Sequence, residues 1–168
     1  SFCTHCLGLG IETVVSESLL IPDKEKSLKD GAILFFKGSH ESKEQKSLEA
    51  LCDYYGININ KKFSELSEKE LYQLLYSNDK IKYKISYKEG KRRKQHYIFL
   101  QGAISAITEK ITQSDNSSSH VAYSKYLEDV PCHVCGGAKL KREVLDYRIN
   151  GLNYYDVENM ELVVLNSW

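Results

Sequence analysis

Two stretches of the chain show apolar residues at helical spacing. In Gln45 to Tyr55, Leu48, Leu51, Cys52 and Tyr55 fall on one face, and Gly56 stands where a helix stop belongs. A second helix is predicted from Ser67. Ser67-x-x-Glu70 is a capping box, in which each side chain can satisfy the other residue's free backbone N–H, and Leu71, Leu74 and Leu75 form the buried stripe. Lys80 to Tyr87 changes the period from helical to two. Ile81, Tyr83, Ile85 and Tyr87 face one way, and Lys80, Lys82, Lys84 and Ser86 the other, which predicts a half-buried strand. Lys88-Glu89-Gly90 is expected to turn it, followed by a basic loop at Lys91 to Lys94 and a returning strand through Tyr97.

Weaker signals flank this centre. Ile11 to Val15 is β-branched and predicts a short strand, and Pro22-Asp23 a turn. Ala32 to Phe36 is an apolar run too short to type. Ile104, Ile107 and Ile111 predict a third helix, and Ser114 to Ser119 a mobile polar loop. Val121 to Leu127 predicts a fourth helix, Val144 to Ile149 a strand, and Asn150-Gly151 a hairpin turn. Helices grouped around a hairpin predict an α+β fold.

Composition narrows the class. The 168 residues carry 23 Lys plus Arg against 23 Asp plus Glu, and 42% are apolar. This is the makeup of a soluble globular protein and excludes a disordered or membrane-spanning one. Zero net charge argues against holding nucleic acid by bulk charge, leaving a local basic strip as the possible contact. The chain starts at Ser1 and its single methionine is Met160, so it reads as a piece of a longer protein.

Four of the five cysteines form two C-x-x-C knuckles, Cys3-Thr4-His5-Cys6 and Cys132-His133-Val134-Cys135, each followed by glycine-rich sequence. A tetrahedral zinc ion takes four ligands, and two such turns supply four thiolates. The long separation means that a metal would staple the ends of a large insertion rather than build a small contiguous finger. Redox C-x-x-C motifs, disulfides and independent structural cysteines compete with this reading, though no secretory signal supports an oxidising compartment. His5 and His133, inside the knuckles, are substitute ligands. Cys52 lies on its helix's apolar stripe and reads as a buried small hydrophobe.

The basic strip is the second candidate site. Lys80, Lys82, Lys84, Lys88, Lys91, Arg92, Arg93 and Lys94 stand against one acid, Glu89, with Tyr83, Tyr87 and Tyr97 interleaved or adjacent. A lysine-faced strand running into a basic loop can track a phosphate backbone. Lysines on an open strand face also simply solubilise an edge. Four adjacent cations, Lys91 to Lys94, fit that second reading less well, because they repel one another without a partner. The candidate DNA contacts are Lys82, Lys84, Lys91, Arg92, Arg93 and Lys94. The sequence has no G-x-x-x-x-G-K-[ST] phosphate loop, no G-x-S-x-G and no H-E-x-x-H, and no catalytic residue is assigned.

Several of these segments resemble the UvrA family, the damage-recognition subunit of the bacterial excision nuclease. Cys3 to Gly10 is similar to that family's C-x-x-C-x-G-L-G knuckle, and Ser27-Leu28-Lys29-Asp30-Gly31-Ala32-Ile33 to the S-L-x-x-G-A-I that follows it. Pro131 to Glu143 resembles the second knuckle with its G-x-[RK]-L-x-x-E tail. Gln101-Gly102-Ala103-Ile104 stands for an F-E-G-V-I-like segment. The Arg-Arg-Tyr stretch usual after it reads Glu109-Lys110-Ile111 here, and a basic position before the last helix is His120, departures that imply a divergent paralogue.

The resemblance implies a structural Zn2+ on Cys3, Cys6, Cys132 and Cys135, with a DNA-binding insertion between the knuckles. The expected domains are a discontinuous zinc-knuckle module, 1–22 with 130–168, and an insertion of helices and a small antiparallel sheet, 23–129. The implied role is damage recognition in nucleotide excision repair, through non-specific contact with the backbone of duplex DNA. The alternative is a structural or protein-interaction module with little DNA contact. The fragment is expected to have no enzymatic activity. ATP binding, UvrB and a second UvrA copy belong to the parent ABC-type ATPase, in the bacterial cytoplasm, with no membrane partner.

Overall fold

The computed structural model describes residues 3–113, 121–137, 148–149 and 152–153. The chain divides into two compact units, one formed by 1–14 and 128–168, the other by 15–127.

In the smaller unit the chain passes through the first knuckle into strand β1 (Ile11–Val15). It returns through β4 (Leu127–Pro131), which pairs with β1 and leads into the second knuckle. Thr13 Oγ1 donates to Asp129 Oδ1 at 2.7 Å, and the Cys132 N–H to the Gly10 carbonyl at 2.9 Å. A second, antiparallel pair joins β5 (Arg148–Ile149) to β6 (Leu152–Asn153). The turn expected at Asn150-Gly151 lies outside the described residues, as do the loop at Ser114–Ser119 and residues 144–147 of the strand expected to end at Ile149.

The larger unit has an apolar core under a hairpin. Its first element is a four-residue helix, α1 (Glu17–Leu20), capped by Ser16, which is too short to leave a periodic trace in the sequence. Leu20 and Ile21 enter the core, so residues 15–22 pack with this unit. Helix α2 (Lys43–Tyr55) is capped by Ser42 and stopped by Gly56 at φ 70°, a left-handed conformation that glycine adopts without Cβ strain. Helix α3 (Glu68–Leu75) carries both hydrogen bonds of the predicted capping box. Leu48, Leu51, Leu74 and Leu75 are buried together with Leu28, Ile33 and Phe36. The short apolar run thus becomes core through a 3-10 turn at Leu34–Phe36.

Strands β2 (Lys82–Glu89) and β3 (Arg92–Phe99) form an antiparallel hairpin joined by Gly90-Lys91, with Gly90 at φ 64°. Lys80, expected inside the strand, sits at φ 57° and lies before it. The basic run is not a loop. Only Lys91 is in the turn, and Arg92, Arg93 and Lys94 are the first residues of β3. Ile85 and Tyr87 pack into the core, next to α2. Helix α4 (Ala103–Gln113) follows and buries Ala103 and Ile107. The helix expected over Val121–Leu127 ends earlier: residues 121–126 are helical and Leu127 begins β4. The unit's two ends meet where the Ser16 N–H donates to the Tyr126 carbonyl at 2.7 Å.

Candidate functional site

The smaller unit brings Cys3, Cys6, Cys132 and Cys135 into one buried cluster, with all four sulfurs within 4.8 Å of one another. None of the four is in a disulfide. Cys6 Sγ and Cys135 Sγ are 3.8 Å apart, well beyond the ~2.05 Å of a disulfide. Sulfurs at the corners of a tetrahedron with ~2.3 Å metal bonds lie about 3.8 Å apart, so the cluster fits a zinc-sized tetrahedral ion. Each knuckle curls its backbone toward its sulfurs. The Gly8 N–H donates to the Cys3 carbonyl, the Gly136 N–H to the Cys132 carbonyl, and the Gly10 N–H directly to Cys6 Sγ at 3.2 Å.

These contacts split the thiols. Burial pushes the Cys6 thiol up, but the Gly10 N–H and the neighbouring Cys3 and Cys135 sulfurs outweigh it and bring the group down to about 7. Burial dominates at Cys132 and raises it to about 11 against the Cys135 and Val134 N–H groups. A divalent cation removes the mutual repulsion that keeps all four from ionising together.

The residue after the second cysteine of each knuckle is left-handed, Gly136 at φ 65° and Leu7 at φ 55°. Leu7 holds this conformation with a Cβ in place.

The two knuckle histidines both engage Glu12, and a His5 ring nitrogen also lies within 4.8 Å of Cys132 Sγ. His5 Nε2 donates to Glu12 Oε2 at 2.8 Å, and His133 Nδ1 to Glu12 Oε1 at 2.8 Å. Their rings meet edge to face, with centroids 4.6 Å apart. One carboxylate from β1 therefore ties both knuckles together, and the two imidazoles, His133 first, hold Glu12 below the usual carboxylate range. Sequence reasoning missed Glu12. Its only trace was a histidine inside each knuckle.

In the larger unit, the hairpin register sorts the predicted cations onto two faces, because directly opposed residues share a face. Lys82 opposes Phe99, Lys84 opposes Tyr97, Ser86 opposes Gln95 and Lys88 opposes Arg93 on the outer face. Tyr83, Ile85, Tyr87 and Glu89 oppose Ile98, His96, Lys94 and Arg92 on the inner one. Arg92 and Lys94 are thus separated from Lys82, Lys84 and Arg93, and Lys91 sits at the turn.

The cations also differ in their partners. Arg93 donates to Glu41 Oε2 at 3.2 Å and to Ser86 Oγ at 3.0 Å. Lys94 Nζ lies 2.6 Å from Glu89 Oε2, a contact that lowers the glutamate and raises the lysine. Lys82, Lys84, Lys88, Lys91 and Arg92 have no acidic partner among the described residues. Lys88, Tyr97 and Phe99 complete the outer face and were not among the predicted contacts. The signal that finds them is the register itself, once Gly90 fixes the turn.

The sequence profile of the UvrA DNA-binding domain matches residues 17–125. The chain belongs to this family. A UvrABC system protein A from Staphylococcus aureus (strain Mu50 / ATCC 700699) is 34% identical over 157 residues, covering 92% of this chain and 16% of the relative. Those from Rhizobium meliloti (strain 1021) and Brucella abortus biovar 1 (strain 9-941) are 29% and 28% identical, each across 99% of this chain and 17% of the relative. The chain therefore spans about a sixth of the length of these UvrA relatives. The crystal structure of UvrA2 from Deinococcus radiodurans matches with a TM-score of 0.67 at 16% identity, over 92% of this chain and 20% of that one, and shares the fold. The mixed helical and small antiparallel-sheet architecture matches the fold of that structure.

Proposed function

We propose that this chain is a DNA-binding part of a UvrA-type nucleotide excision repair protein, gripping DNA through its phosphate backbone with the outer face of the β2–β3 hairpin. The observation that carries the reading is the row Lys82, Lys84 and Lys88, exposed on one face and without an acidic partner among the described residues. Such a row neutralises phosphates and reads no base edge, which suits a protein that must scan any sequence. In the same reading, zinc on Cys3, Cys6, Cys132 and Cys135 is structural and fixes the chain ends of the smaller unit. ATP hydrolysis, a second UvrA copy and UvrB belong to the intact protein in the bacterial cytoplasm.

The test is the anisotropy of a labelled duplex titrated with the zinc-loaded 168-residue chain across a salt series. Affinity should fall with salt. Lys82→Ala, Lys84→Ala and Lys88→Ala combined should flatten the log–log slope by about 0.9 for each phosphate left without its cation. Arg93→Ala with Lys94→Ala should change it less, because Glu41 and Glu89 already engage those cations. A triple variant that binds like the parent at low and high salt would refute the reading and favour a protein-interaction module.

A further inference from the structure

The outer face of the hairpin holds more than cations. Tyr97 and Phe99 are 69% and 53% exposed, in a strand whose neighbouring face residues are charged or polar. Register places Tyr97 beside Lys84 and Phe99 beside Lys82, and Lys82 Nζ lies 5.8 Å from the Phe99 ring centroid. We propose that this face is a stacking platform for unpaired nucleobases, so that the DNA it grips best is locally melted rather than fully paired. The inference rests on the DNA-binding reading above and adds the kind of DNA.

The physical case turns on what each group offers a ligand. A paired duplex keeps its base faces stacked inside and presents phosphates, for which the lysines suffice. Exposed rings contribute only when a base face is free to lie on them, and such stacking tolerates any sequence. Tyr97 and Phe99 are two residues apart on one face of β3, about 6.8 Å along the strand. That is twice the ~3.4 Å rise between stacked bases, so one base fits between the rings. Lysines beside each ring meet the phosphates of a strand lying along this face.

Phe99 also borders a cleft lined by Tyr76, Gln101, Ser105, Thr108 and Thr112. A base carried past Phe99 meets amide and hydroxyl groups there. The acid in this cleft, Glu109, accepts from the Gln101 side-chain amide, and Lys80 lines the same cleft.

The experiment compares a labelled duplex with the same duplex carrying a central bubble of mismatches, equal in length and phosphate number. Both are titrated with the zinc-loaded 168-residue chain. The bubble should bind roughly five- to a hundredfold more tightly. Tyr97→Ala with Phe99→Ala should remove that preference, so that bubble and duplex bind alike. Both side chains are largely exposed, so the double variant should keep the parent's thermal midpoint. Phe99→Trp should retain the preference, and its added emission should be quenched by the bubble and not by the duplex. Equal, salt-sensitive binding of both DNAs by the parent, or a bubble preference that survives the double alanine variant, would overturn the platform alone. Absence of binding to either DNA would remove the DNA-binding reading and the platform with it.

Discussion

Replacing Gly102 by Ala should be among the costliest single-methyl changes available to the larger unit. Gly102 opens α4, where its N–H donates to the Ser77 carbonyl at 2.9 Å and its own carbonyl accepts from the Ala106 N–H. A Cβ built there would lie 2.3 Å from the carbonyl carbon of Leu75, 2.5 Å from the Tyr76 nitrogen and 2.7 Å from the Leu75 oxygen. Ordinary contact begins near 3.4 Å, so the backbone must separate by about 1.1 Å, the difference between 3.4 and 2.3. Every obstructing atom is main chain, at the end of α3, and Leu74, Leu75 and Ser77 around it are buried. No side-chain rotation relieves the overlap. Forcing two packed helix ends apart places the cost at the top of the overpacking range, about 3 kcal/mol or more. For a unit of this size that lowers the thermal midpoint by about 10 °C or more. Thermal unfolding followed by far-ultraviolet circular dichroism, with zinc present, reads the change directly. A midpoint within about 2 °C of the parent's would show that the helix ends yield easily and that the close approach is not a constraint.

Two further predictions concern the knuckles. Chelation of the metal should expose four fast-reacting thiols to Ellman's reagent, while Cys52, buried and pushed up to about 12, stays slow; four reactive thiols before chelation would contradict a metal-filled cluster. Leu7→Gly should stabilise the smaller unit by about 0.5–1 kcal/mol. Left-handed backbone costs a side-chain-bearing residue ~1–2 kcal/mol, glycine's greater chain entropy in the unfolded state returns about half, and the 71% exposed side chain gives up little packing. The variant should need more chelator than the parent for half-release of its thiols, and an equal or smaller requirement would argue against strain at Leu7.

What the sequence disclosed depended on how local each signal was. The Ser67–Glu70 box, the stop at Gly56 and the alternation through β2 are written within a few residues, and all appear in the fold. The two knuckles were legible despite their separation because thiols at that spacing have few other uses. The basic run misled for a physical reason. Four consecutive cations hide a two-residue period, so Arg92, Arg93 and Lys94 read as a loop although they alternate faces along β3. The Glu12 clamp depends on three residues from separate segments meeting, which no spacing rule encodes. The exposed rings at Tyr97 and Phe99 look like ordinary strand residues until the register shows which face they occupy.

The single hydrogen bond between Ser16 and Tyr126 has a consequence at the level of the gene. The family profile runs from 17 to 125, just inside that bonded pair. A polypeptide leaving at one point and returning beside it is, to the surrounding chain, no wider than a tight connection. Recombination could therefore lengthen, replace or delete everything between these two residues without rerouting the rest of the protein. Natural variation in such proteins should accordingly concentrate as whole-cassette differences with breakpoints near 16 and 126. A short linker joining those two positions is the deletion an engineer would make first.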